Sequence, residues 1–138
     1  MRKLIKHILT AKFSLALAIG IAILILYLSL MPTENLPKVQ INQADKLYHL
    51  TAYIALAFAW FTYFLIFKNK KEKITFNIIA LALIVFGIVV EVLQMTLTDY
   101  RTFDWWDILS NSAGILIVYG LFKLNKSKLG KLKHQLNV

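Results

Sequence analysis

Two aspartates three residues apart, Asp104 and Asp107, lie in the stretch RTFDWWDILSNSAG, Arg101 to Gly114. Arg101 precedes Asp104 by three residues and Asn111 follows Asp107 by four. Residues three and four apart share a helix face, so these side chains form one polar stripe. Two other places concentrate the same kind of chemistry. One holds Asp45, Lys46, His49 and Tyr53; the other holds Glu91 and Gln94. Lys46 and Arg101 are suited to phosphate or carboxylate, and Arg101 can make bidentate contact. Gln94 and Asn111 would orient a ligand. Glu91, His49 or Asp107 could act as a general acid or base if burial and neighbours shift the proton affinity. His49, Asp104 and Asp107 are candidate ligands for a divalent metal.

These groups must be positioned by membrane-spanning elements. Of 138 residues, 59% are hydrophobic and 17% charged, and the apolar residues fall in long charge-free runs. Runs of about 18 or more such residues indicate transmembrane helices. The expected fold is all-α, a polytopic four-helix bundle over residues 13–30, 46–67, 74–97 and 106–122. The whole chain, 1–138, reads as a single membrane domain, without an internal repeat. The first run, FSLALAIGIAILILYLSL, exceeds the usual apolar core of a cleavable signal, about 7–15 residues, and MPTENLP after it offers no small-x-small site. It is read as a retained first span. The absence of cysteine excludes a disulfide framework and a thiol nucleophile. A formal charge of +9 would suit nucleic acid, but the lysines sit at the ends of the apolar runs. Membrane topology explains them there, and no nucleic-acid partner is expected.

Basic residues set the orientation. The leader carries Arg2, Lys3, Lys6 and Lys12, the second loop Lys68, Lys70, Lys71 and Lys73, and the tail five lysines from Lys123. The other two loops carry Lys38, Lys46 and Arg101. Short loops rich in Lys and Arg stay cytoplasmic, which predicts both termini inside. The three polar groups then fall at the outer ends of helices two, three and four.

Each residue has a plainer reading beside the functional one. Glu91 lies six residues before Leu97, about 9 Å inside the span. An ionisable group at that depth should face the bundle and find a partner. That partner is either Arg101 or Lys46 in a structural pair, or a shared site. Asp45, in NQAD, and Asp104 fit helix N-caps. Asp45, His49 and Tyr53, each four apart, are expected to climb one face. Trp105 and Trp106 fit anchors at the water boundary, and Gly114 fits close helix contact. His7 and His134 lie in basic tails and are assigned no role.

Together, DKLYHLTAY (Asp45 to Tyr53), EVLQ (Glu91 to Gln94) and RTFDWWDILSNSAG resemble the VanZ-like membrane proteins. That family is named after a protein linked to low-level teicoplanin resistance. Its pattern is D-K-x-x-H, then E-x-x-Q, then R-x-x-D-x-x-D-x-x-x-N-x-x-G. Asp45, Lys46, His49, Glu91, Gln94, Arg101, Asp104, Asp107, Asn111 and Gly114 match it in order. The resemblance implies a bacterial inner or plasma membrane protein and no particular reaction.

Three functions remain open on the sequence. The set could bind or modulate a lipid-linked cell-envelope molecule or lipid head group at the outer leaflet. It could be the centre of an enzyme acting on such a molecule. It could be a polar lock that fixes the bundle. The outer half holds six acids and three bases, which favours a cation or metal over bare phosphate. No glycine-rich phosphate cradle or H-E-x-x-H pair is present.

Overall fold

This computed structural model describes residues 11–31, 44–67, 72–99, 102–125, 127–129 and 131, and four long helices run through them. Arg101, the Asn42–Gln43 half of the proposed N-cap and most of the loop lysines lie outside the described residues. Helix α1 spans Ala11–Leu30. Its Ala- and Leu-rich body favours helix, and it ends just before Pro32, whose ring disfavours helical geometry in the preceding residue. Helix α2 spans Ala44–Thr62 and continues as a π-helical turn, Tyr63–Phe67. Helix α3 spans Glu72–Leu97 and helix α4 spans Trp105–Leu124. All four are long and apolar enough to cross a membrane.

The π-helical end of α2 departs from the uniform helix that its apolar pattern predicts. It coincides with an aromatic cluster. Trp60 stacks on Phe64 at 5.7 Å, and Tyr63 meets both rings edge-on. The widened turn accommodates these adjacent rings on one flank of the helix.

Helices α2 and α4 form the most extensive pair; α4 packs next against α3, and α1 against α2. Gly114 makes the central pairing possible. A Cβ there would lie 2.6 Å from the Leu50 carbonyl oxygen and 3.1 Å from the Ile54 nitrogen. The two backbones approach more closely than any side chain on that face permits. Deeper in the bundle, Phe61 packs against Phe76, Tyr119 and Phe122, alongside Leu56, Leu83 and Val118.

Burial is distributed as a bilayer demands. Leu17, Ile23, Leu81, Val85, Leu116 and Leu121 are exposed, whereas Glu91, Gln94, Asp107 and Asn111 are buried. Charged and amide side chains turn into the bundle because hydrocarbon cannot solvate them.

Candidate functional site

Apart from Ser14 on α1, the polar side chains turned into the bundle fall on three stripes with helical spacing. Helix α2 presents Lys46, His49 and Tyr53, helix α3 Gly87, Glu91 and Gln94, and helix α4 Asp107, Asn111 and Gly114. The α2 stripe differs from the expected one. Lys46, not Asp45, leads the inward face, and Asp45 stands at its edge with a side chain 56% exposed. The inward set follows three-then-four spacing, so it begins one residue later than a strict four-residue count suggests.

Lys46 is the hub of the outermost layer. Its Nζ donates to Asp45 Oδ2 at 2.9 Å, Asp104 Oδ2 at 2.5 Å and Asp107 Oδ1 at 2.5 Å. An ammonium has three donors, and all three point at carboxylates. Lys46 is therefore engaged with three carboxylates of the protein itself. Lys46 thus pairs with three aspartates, and Arg101, the other expected partner of Glu91, lies outside the described residues.

One layer deeper, His49 spans two carboxylates. Its Nδ1 lies 3.6 Å from Glu91 Oε1 and its Nε2 lies 3.6 Å from Asp107 Oδ2. Nδ1 also lies 3.1 Å from Asn111 Oδ1. Asp107 thus joins the layers, with one oxygen toward Lys46 and the other toward His49. Glu91 is 2% exposed, at the floor of the cluster. Beside it, Gly87 makes room for the Tyr53 ring; a Cβ there would sit 3.1 Å from Tyr53 Cε1 and 3.5 Å from Asn111 Cβ. The hydroxyl of Tyr53 and Nδ2 of Asn111 are buried without a hydrogen-bond partner among the described residues.

Two sets of side chains have the composition and spacing to hold a metal: His49, Glu91 and Asp107, and Asp45, Asp104 and Asp107. Within each, one ligand atom per residue lies within 4.8 Å of the others. The set expected from sequence, His49, Asp104 and Asp107, is divided between them. Asp104 belongs to the Lys46 layer and Glu91 takes its place beside His49.

Gln94 serves a different purpose from the one its spacing suggests. Its Nε2 donates to the Ser29 carbonyl of α1 at 2.7 Å. The acceptor is a backbone carbonyl, which every residue carries, so sequence alone does not mark Ser29. Gln94→Leu should detach this corner of α1, destabilising the protein by about 1 kcal/mol. Thermal unfolding in detergent should show the shift, with α1 proteolysed first.

Asp104 does two jobs. Its Oδ1 accepts from the Trp106 backbone N–H at 2.8 Å, capping α4, while Oδ2 accepts from Lys46. The Lys46 hydrogen bond, then the Trp106 N–H, hold its carboxyl below the ordinary value of 3.8. A lowered folded-state pKa contributes stability above the unfolded-state value, lost as pH falls through the folded value. Wild-type protein should therefore lose stability below about pH 4, and Asp104→Asn should flatten that limb of the melting-temperature profile. Trp105 and Trp106 are 70% and 68% exposed, as boundary anchors require.

A cavity of about 690 Å³ lies elsewhere, lined by Ala22, Leu56, Trp60, Phe64, Ile79 and Phe86 among others. It contains no ionisable side chain and is separate from the polar cluster, whose chemistry it does not share.

The VanZ/LLP1 family model matches residues 13–126, which include all three helical stripes. Comparisons with curated proteins and with solved structures returned no match. The match covers most of the chain and contains every polar group described above, and the protein therefore belongs to the VanZ/LLP1 family of membrane proteins.

Proposed function

We propose that the chain is a bacterial inner or plasma membrane protein, with both termini cytoplasmic, whose polar cluster binds an outer-leaflet molecule. The ligand is a lipid head group or a lipid-linked cell-envelope compound. One observation carries this reading: ionisable groups from three helices meet at the tryptophan-bearing end, partly open at Asp45 and Asp104 and closed at Glu91. A lock alone would not require the cluster to reach the surface. The charge balance defines the class of ligand. Among the described residues, Asp45, Asp104 and Asp107 surround the Lys46 ammonium, which donates to all three, and Glu91 lies one layer deeper beside His49. Such a site favours ammonium or hydroxyl groups of the ligand over bare phosphate.

The test is native mass spectrometry of full-length protein extracted in mild detergent. Wild type should carry a defined amphiphile, and Asp107→Asn and Glu91→Gln should lose it while remaining folded by size exclusion. Mass and fragmentation separate a membrane lipid from a lipid-linked precursor. Equal lipid retention in all three proteins would refute binding; loss of folded protein in both variants would indicate the polar lock. Orientation is tested by reporter fusions: Lys70 and Val138 should report cytoplasmic and Lys38 external. Any link to glycopeptide tolerance should appear as a change in teicoplanin susceptibility when the gene is expressed, and disappear with Glu91→Gln.

A second reading is supported by His49. An imidazole with a carboxylate near each nitrogen is arranged to accept a proton on one side and release it on the other. This is the machinery of acid–base catalysis on a bound amphiphile. Turnover of the copurified molecule that His49→Gln abolishes, without loss of binding, would establish the enzyme.

A further inference from the structure

We infer that His49, Glu91 and Asp107 form a binding site for one divalent transition-metal ion of the zinc or manganese type. The inference goes beyond ligand binding and does not depend on it, since an amphiphile could bind above a metal-free cluster.

The donor set comes first. One nitrogen and two carboxylate oxygens, from three different helices, converge within 4.8 Å. The His49–Glu91 and His49–Asp107 separations are both 3.6 Å. Ligands about 2.0–2.2 Å from a metal stand roughly 3–3.6 Å apart, so small side-chain adjustments close the set around an ion. Imidazole with carboxylates suits zinc and manganese; calcium and magnesium prefer oxygen alone.

Electrostatics point the same way. The outer layer, Asp45, Asp104 and Asp107, already surrounds a cation, the Lys46 ammonium. The deeper layer has an imidazole at its centre instead, and brings Glu91 and Asp107 together where exposure is least. A divalent ion would stabilise two carboxylates brought together at that depth.

The third observation is independent of the ligands. Asn111, 2% exposed, places Oδ1 against His49, which puts its amide at the edge of the cluster. Its Nδ2 donor has no acceptor among the described residues, and neither does the hydroxyl of Tyr53, 1% exposed. Buried donors of this kind require an oxygen partner. A water carried by the metal would supply it, completing the coordination left open by three protein ligands. Asn111 and Tyr53 then act as positioning residues for that water.

The test uses full-length protein in detergent, stripped with EDTA and titrated with zinc or manganese alone. Bound metal is counted after desalting. Wild type should retain about one ion per chain, and His49→Ala and Glu91→Gln should weaken binding at least about tenfold. Asp104→Asn should retain the ion, because that carboxylate belongs to the Lys46 layer. The protein has three histidines, so His7→Ala with His134→Ala serves as a control and should bind like wild type. Copper-substituted wild type should show nitrogen superhyperfine structure from a single imidazole, a readout that survives failure of any variant to fold. Wild type that retains neither ion overturns the site. So does binding lost in the His7/His134 control, or a copper spectrum without coordinated nitrogen.

Discussion

Gly114→Leu should abolish folded protein, and Gly114→Ala should lower stability by about 1–3 kcal/mol, at the upper end of that range. The reason is geometric. A Cβ at Gly114 would meet the Leu50 carbonyl oxygen at 2.6 Å and the Ile54 nitrogen at 3.1 Å, both backbone atoms. No rotamer change relieves a backbone contact, so α2 and α4 must separate. They carry Lys46 and His49 on one side and Asp104, Asp107 and Asn111 on the other. Separating them pulls the polar cluster apart as well as opening the packing. Gly120 provides the control, since it lies on the same helix with nothing within 4 Å of its added Cβ. Gly120→Ala should be neutral or stabilise the helix by about 0.5–1 kcal/mol. Thermal unfolding followed by size exclusion in detergent measures both. Equal behaviour of the two alanine variants would show that the α2–α4 approach does not limit stability.

Lys46→Met should have the next largest effect. It preserves most of the side-chain volume and removes the charge from three carboxylates. Breaking a buried ion pair from one side costs about 3–5 kcal/mol. Lys46 is 21% exposed and Asp104 35%, so solvent screening reduces the expected loss to about 2–3 kcal/mol. The loss should shrink on acidification, because protonating Asp104 relieves its repulsion with the neighbouring carboxylates. Asp107→Asn in the Lys46→Met background should recover part of the stability, although each change alone destabilises. A double-mutant cycle in melting temperature resolves this coupling. Simple additivity would mean that Lys46 and Asp107 do not depend on one another.

The two substitutions test different levels of organisation. Gly114 sets how closely the helices approach, and Lys46 joins the charges that this approach brings together. Failure of Gly114→Ala with normal behaviour of Lys46→Met would indicate a scaffold whose polar cluster is incidental to folding. The reverse would make the charge cluster the principal tie between α2 and α4.

Much of the architecture is legible in the sequence because the solvent imposes it. A bilayer requires long apolar helices with internally satisfied backbones, and four such runs are visible between the basic segments. The same constraint picks out Glu91, His49, Asp107 and Asn111, since polar side chains in those runs must face the bundle. Spacing also identifies Asp104 as a cap and Gly114 as a close-contact residue. Each of these properties depends on one helix and its surroundings.

Partner choice is different, because it depends on the rotation and depth of neighbouring helices. Lys46 has the chemistry of a phosphate ligand until α4 brings Asp104 and Asp107 to its ammonium. Gln94 has the spacing of a site residue until α1 offers it the Ser29 carbonyl. The Asp45–His49–Tyr53 stripe becomes Lys46–His49–Tyr53 because the α2 face follows its contact with α4. His49 is grouped with Glu91 instead of Asp104 because α3 inserts that carboxylate at its depth. By itself, the sequence determined which side chains had to leave the lipid and at what level. The tertiary structure decided which of them meet, since the close approach at Gly114 and the positions of α1 and α3 fix distances that no spacing along a single helix contains.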